Sequence, residues 1–251
     1  MKKLSVKNDF WQDLKKHTSA RIALGRSGGS LSTAEQLKLF QAHAEARDAV
    51  NAQMEEDYLI GKIAHLDLNV LQLSTQATDR KTFLLRPDLG RQLDQASRQL
   101  LNNSKKDYDI SLIVGDGLSA RAIHEHVPPF LEILIPKLRE KNYQIAPICL
   151  VQQARVAVSD DIGHTLNSRV AVILIGERPG LSSPSSLGIY LTYGPKPGQT
   201  DEKRNCISNV RREGLPYPLA AEKLLYLLDE AIRRKISGVT LKDDLQLRLE
   251  K

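Results

Sequence analysis

Cysteine is scarce in this chain of 251 residues, with Cys149 and Cys206 its only two. They lie far apart and form no CxxC-type cluster, which argues against a disulfide framework or structural zinc and for a reducing compartment. Aromatic residues are few as well: seven Tyr, four Phe and one Trp. Lys and Arg are spread along the chain rather than gathered into a stripe. The net charge of +6 therefore suits an acidic partner or a phosphate-bearing ligand better than a nucleic acid, which wants stacking rings within a basic groove. No apolar run approaches the ~20 residues that span a bilayer, so no membrane segment is expected. The amino terminus, MKKLSVKNDFWQDLKK, is basic but lacks the apolar centre of a secretory signal. Its Leu4, Phe10, Trp11 and Leu14 are separated by charged residues, as in a short amphipathic helix.

What is there is an ordinary globular composition, 41% hydrophobic and 26% charged, long enough to bury a substantial core. Residues 1–104 read as a helical amino-terminal region. Ser32-Thr33-Ala34-Glu35 caps a helix running to about Met54, and Arg86-Pro87-Asp88-Leu89 starts another to about Leu101. Residues 105–251 read as α/β. Ile110–Val114, Ile145–Val151, Val170–Ile175 and Leu187–Tyr193 are expected strands, and Ser119–Lys137, Val156–Leu166 and Tyr217–Lys235 expected helices. The alternation predicts a Rossmann-like sheet flanked by helices, carrying a helical amino-terminal extension.

The chemistry concentrates at expected strand ends. Val172–Gly176 is an apolar run that ends in a charged pair, Glu177-Arg178, and a rigid turn, Pro179-Gly180. A buried strand delivers polar groups to the mouth of a sheet in this way. The next strand leads into an expected loop holding Arg204 and Cys206. Gly115–Ala120, GDGLSA, matches G-x-G-x-x-A between a strand and a helix, where backbone amides can approach a phosphate. A dinucleotide site also wants a carboxylate about 20 residues on. The second strand instead ends Leu150-Val151-Gln152-Gln153, which disfavours NAD and leaves a tight structural turn as the plain alternative. Cys206 as a nucleophile lacks a partner, since His124, His126 and His164 sit in no Cys-His signature. Asp160-Asp161 with His164 lacks a third metal ligand, and Asp161 reads equally well as a helix cap.

GERPGLSSPSSLGIYLTY and RNCISN resemble the ethanolamine ammonia-lyase small (light) subunit family. ARIALG (Ala20–Gly25), AHAEARDAV (Ala42–Val50), RPDLGR (Arg86–Arg91), IVGDGLSA (Ile113–Ala120) and ARVAV (Ala154–Val158) with Asp161-Ile162-Gly163 fit the same family in order. The resemblance implies a subunit of an adenosylcobalamin-dependent enzyme that converts ethanolamine to acetaldehyde and ammonia. Substrate would lie in the large subunit, and cobalamin between the two kinds of subunit of a hetero-oligomer. This chain would form one wall and hold no catalytic residue. The family's cobalamin contacts fall on Val156, Glu177 and Cys206. Arg155 stands beside them as a further donor to amide carbonyls or phosphate, and a plain core role competes for Val156. The chain has no Asp-x-His-x-x-Gly motif, so the resemblance implies a base-on cofactor that keeps its own benzimidazole on cobalt. It also implies that residues 1–104 dock on the large subunit, with the face around His43, Arg47 and Asp48 as candidate surface. The location implied is a bacterial microcompartment or the cytoplasm, with encapsulation by Met1–Lys7 the open question. Two other classes compete: an NAD(P)-dependent oxidoreductase using GDGLSA, and a carrier that binds a corrinoid by itself.

Overall fold

The segments Ile110–Gly115 and Val170–Gly176 are buried along their whole length, as strands covered on both faces must be. The computed structural model describes residues 10–18, 20–26 and 29–244. In chain order the main elements are α1 (Thr33–Asn51), α2 (Glu56–Ile63), β1 (Val70–Ser74), α3 (Arg80–Leu85), α4 (Gln95–Asn102), β2 (Ile110–Gly115), α5 (Ala120–Glu140), β3 (Ile148–Gln152), α6 (Val158–Thr165), β4 (Val170–Gly176), β5 (Leu187–Tyr193), β6 (Arg204–Val210) and α7 (Tyr217–Arg234). The six strands form one sheet in the order β1-β3-β2-β4-β5-β6. The first four are mutually parallel, and β5 and β6 extend the sheet antiparallel.

Period-two alternation sorts the strand side chains into two cores. Leu112, Val114, Leu150, Val172 and Leu174 face a large cluster that includes α5, α7 and α2. Ile113, Cys149, Val151, Ile173 and Ile175 face a smaller one closed by Leu101 of α4 and by Val158 and Ile162 of α6. The α/β layout with helices on both faces is thus as the sequence predicts. Ser119 caps α5 by accepting from the Ala122 amide at 3.2 Å, which fixes the turn after β2. Pro128, Pro129 and Pro136 lie inside α5. They cost it backbone hydrogen bonds, and a helix so deeply buried is held by its packing instead.

Four expectations need correction. Val70–Ser74, inside the stretch read as purely helical, is an edge strand paired with β3, so the sheet begins well before residue 105. Its apolar signal is only five residues long, too short for periodicity to assign. The helix expected from Arg86 begins at Gln95, where Asp94 caps it through the Ser97 amide at 2.7 Å. Arg86 ends α3 instead. RNCISN is no loop but most of β6. The amphipathic amino-terminal helix is a 3-10 helix over Phe10–His17, and Leu4 and Met1–Lys7 lie outside the described residues.

Arg204, read as a site group, is a core tie. Its side chain is 2% exposed and pairs with the equally buried Asp160 of α6. It also bonds Asp201 at 2.7 Å and the Gln199 carbonyl at 3.1 Å. Arg204→Ala leaves Asp160 unpaired in the core and is expected to lower the unfolding free energy by about 3–5 kcal/mol. Urea unfolding reads this as a lower midpoint at constant slope. The paired change Arg204→Met with Asp160→Leu is expected to recover most of the loss.

Candidate functional site

The crossover from β2 to β3 runs one way along the sheet and that from β3 to β4 returns past it, so the carboxyl ends of β2 and β4 flank a topological switch point. The loops there meet backbone to backbone. The Leu118 amide donates to the Gly176 carbonyl at 2.9 Å and the Ser119 amide to the Asp116 carbonyl at 3.1 Å. Gly117 is left-handed, and a Cβ on it would come within 2.3 Å of the Gly176 oxygen. Glycine is therefore obligatory for this contact. Both amides are spent on the protein, which weighs against GDGLSA as a phosphate cradle.

Beside this contact lies a cavity of about 300 Å³ lined by Gly117, Leu118, Ala154, Arg155, Val156, Ile175, Gly176, Glu177, Arg178 and Tyr190. Three of the four residues singled out from sequence, Arg155, Val156 and Glu177, meet there. They come from the end of β3 and the end of β4. Cys206 is one side chain away. It is the cross-strand partner of Tyr190 in the β5–β6 ladder, which sets the Tyr190 hydroxyl near its thiol.

Glu177 is held in place by its neighbours. Its Oε2 accepts from the Ser186 hydroxyl at 2.6 Å and from the Asn209 amide at 3.1 Å. A carboxylate offers about four acceptor directions, so this one keeps capacity for a ligand. Arg155 lies with its guanidinium 4.1 Å from the Phe83 ring centre and donates to the Phe83 carbonyl at 3.1 Å. Its amide donates to the Gly90 carbonyl at 2.7 Å. A Cβ on Gly90 would meet Arg155 Cγ at 2.9 Å, which gives RPDLGR a physical reason for its glycine. Arg155 Nε is buried with no acceptor. Burial, and then the charges of Arg80, Arg91 and Arg178, push the Arg155 pKa down from its ordinary value. This side of the cavity is rich in cations and short of acceptors.

Sequence reasoning missed three contributors. Tyr190 is legible only through alternation, which puts it on the face opposite the buried Ile189 and Leu191. Asp116, 1% exposed, accepts from the Ala154 amide at 2.9 Å and binds the β2 loop to the β3 loop. Burial raises its pKa despite that bond and the Arg80 charge. Arg80, at the start of α3, had no sequence signal beyond the Asp79 cap before it. A larger cavity of about 610 Å³ lies beyond Ala157 and contains Arg98 and Asp161. These two form an ion pair at 2.7 Å, so Asp161 ties α6 to α4 rather than capping a helix. Among the described residues no group of His, Cys, Asp and Glu could hold a metal, and no helix is long and apolar enough to cross a membrane.

Comparison with known proteins gives a consistent answer. The family model described as Ethanolamine ammonia-lyase light chain (EutC) matches residues 8–242. Proteins named ethanolamine ammonia-lyase small subunit are similar over most of their length. That of Pseudomonas fluorescens is 50% identical across 94% of this chain and 88% of its own. That of Azotobacter vinelandii is 51% identical across 94% and 89%, and that of Ralstonia nicotianae 51% identical across 98% and 92%.

The two thiols should differ sharply. Burial raises the Cys206 pKa, the Tyr190 hydroxyl offsets part of this, and the Glu177 charge adds to it. Cys149 is fully enclosed, and burial pushes its pKa up to about 12. With iodoacetamide, Cys206 is expected to label more slowly than a free thiol at pH 8 and faster as pH rises, because the thiolate is the nucleophile. Cys149 is expected to stay unlabelled until the chain unfolds. Equal labelling of both in the native chain would contradict this geometry.

Proposed function

The chain belongs to the ethanolamine ammonia-lyase light chain family, and from that premise we propose that its switch-point crevice forms one wall of an adenosylcobalamin site closed by the enzyme's large subunit. The observation that carries the proposal is the convergence of Arg155, Val156 and Glu177 on one cavity, with Cys206 beside it across Tyr190. The donor set fits the cofactor. Glu177 has spare acceptor capacity for the N–H groups of amide side arms. The arginine side has an orphaned N–H and surplus positive charge, and a nucleotide phosphate and amide carbonyls are acceptors that suit it. Val156 and Tyr190 add apolar wall. When bound, the cofactor supplies the radical chemistry by which such an enzyme takes ethanolamine to acetaldehyde and ammonia.

The residues of this chain bind and orient. Glu177 is fixed by Ser186 and Asn209, so it presents its free lone pairs without first losing rotamer freedom. Arg155 is pinned on Phe83 and Gly90. None of them reaches substrate in this reading, so the chain is a non-catalytic subunit of an ammonia-lyase.

For the large subunit, α1 is the favoured contact. It is anchored through Ala42 and Ala49, while Leu37 and Phe40 are 61% and 58% exposed. His43, Arg47 and Asp48 are exposed on the same helix. A hetero-oligomer in the cytoplasm or in a bacterial microcompartment is the setting we infer.

Ethanolamine deamination with added adenosylcobalamin is expected only when this chain is mixed with its large subunit. Activity of the chain alone would overturn the non-catalytic role, and silence from an assembled mixture would favour the oxidoreductase or carrier readings. Glu177→Ala in the assembled enzyme is expected to raise the adenosylcobalamin KM about tenfold, the worth of one charged hydrogen bond. Leu37→Asp with Phe40→Asp is expected to weaken association with the large subunit about tenfold or more. Titration calorimetry measures it, with the melting point of the free chain unchanged. Undiminished association would remove α1 from the interface.

A further inference from the structure

Arg80 joins three parts of the molecule that the sequence keeps far apart. Its Nε donates to the carbonyl of Val50 in the last turn of α1 at 2.6 Å. A helix leaves its final carbonyls without partners, so Arg80 caps α1. Its Nη1 donates to the Gly117 carbonyl at 2.9 Å and lies 3.5 Å from Asp116 and 3.4 Å from the Gln153 side chain. The guanidinium also lies over Phe83, 4.7 Å from the ring centre, on the ring that carries Arg155. The side chain is 11% exposed and Asp116 2%. From Asp116 the path continues through the Ala154 amide at 2.9 Å to Arg155 and Val156. From Gly117 it continues through the Leu118–Gly176 bond to Glu177. One planar fork thus reaches α1 on one side and both loops of the crevice on the other.

We propose that Arg80 is a positioning residue that couples the seating of a partner on α1 to the geometry of the cofactor-facing loops. This rests on the reading above, in which α1 meets the large subunit and the crevice meets cobalamin. A partner that fixes the end of α1 fixes Arg80, and with it the Gly117 carbonyl and the Asp116 carboxylate. A lysine keeps a charge for Asp116 but is a single point, unable to hold Val50 and Gly117 together.

The test uses the two-subunit complex with Arg80→Lys. Association with the large subunit is expected to match the wild type. The Kd for hydroxocobalamin, followed by visible absorption, and the KM for adenosylcobalamin are expected to rise about tenfold. Turnover at saturating cofactor is expected to stay within about twofold, a split that general destabilisation would not give. Hydrogen exchange supplies a readout independent of the cofactor. Adding the large subunit is expected to slow the amides of Gly117, Leu118 and Ser119 in the wild type and to lose that effect in Arg80→Lys. Unchanged cobalamin affinity in the variant, or equal slowing in both chains, would overturn the coupling. If the variant does not fold, the wild-type exchange still decides, because no slowing on partner addition refutes the proposal. A wild-type complex that binds no hydroxocobalamin would sink the cofactor reading, while exchange would still test the coupling.

Discussion

The arrangement around the crevice depends on one contact, the backbone bond between the loops that leave β2 and β4. The Leu118 amide and Gly176 carbonyl can meet at 2.9 Å only because neither loop carries a Cβ at the crossing. A Cβ on Gly176 would stand 2.1 Å from the Ser119 oxygen. Any side chain at either position would push the loops apart and widen the floor that Arg155, Val156 and Glu177 surround. The strand order matters because it places this crossing at the reversal point, where no crossover helix covers the sheet edge.

Around that contact, charge is used in two ways. Arg204 with Asp160 is buried on both sides, and the same guanidinium is tied to Asp201 and the Gln199 carbonyl. Such a pair gives back little net stability, yet losing one partner is expensive, so it serves to lock β6 against α6 and fix where Cys206 sits. Arg80 with Asp116 is longer, and the same Nη1 is shared with the Gly117 carbonyl and the Gln153 side chain. The first arrangement specifies the fold. The second is a network with slack in it, located between α1 and the crevice.

Much of this was legible in the sequence, and the failures have physical causes. Continuous apolar runs exposed the doubly covered strands, cap residues placed α1 and periodicity placed α5. The glycines of GDGLSA and the Glu177 position marked a sheet edge correctly. Five-residue β1 carried too little pattern to be seen among helices. RNCISN looked like a loop because it mixes a buried arginine with exposed polar residues. An arginine reads as surface until its aspartate is known, and Asp160 lies in a different element. Arg80 was invisible for the same reason: its importance lies in main-chain carbonyls of residues 50 and 117, to which no sequence pattern points.

The size of the crevice bears on the proposal that it is one wall of a larger site. A cavity of about 300 Å³ stands at the lower end of what encloses even a drug-sized ligand, and a corrinoid is far larger. Its wall is nevertheless pre-ordered: Glu177 is clamped from two sides and Arg155 is stacked and hydrogen-bonded. Ordering side chains costs conformational entropy, and a wall made rigid without being closed gains affinity only when another surface completes it. The chain therefore bears the cost of order on its own side, while enclosure and exclusion of water are left to whatever covers the crevice. A free corrinoid carrier would need both in one chain. In the proposed reading, this open, rigid geometry suits a subunit whose site forms on assembly.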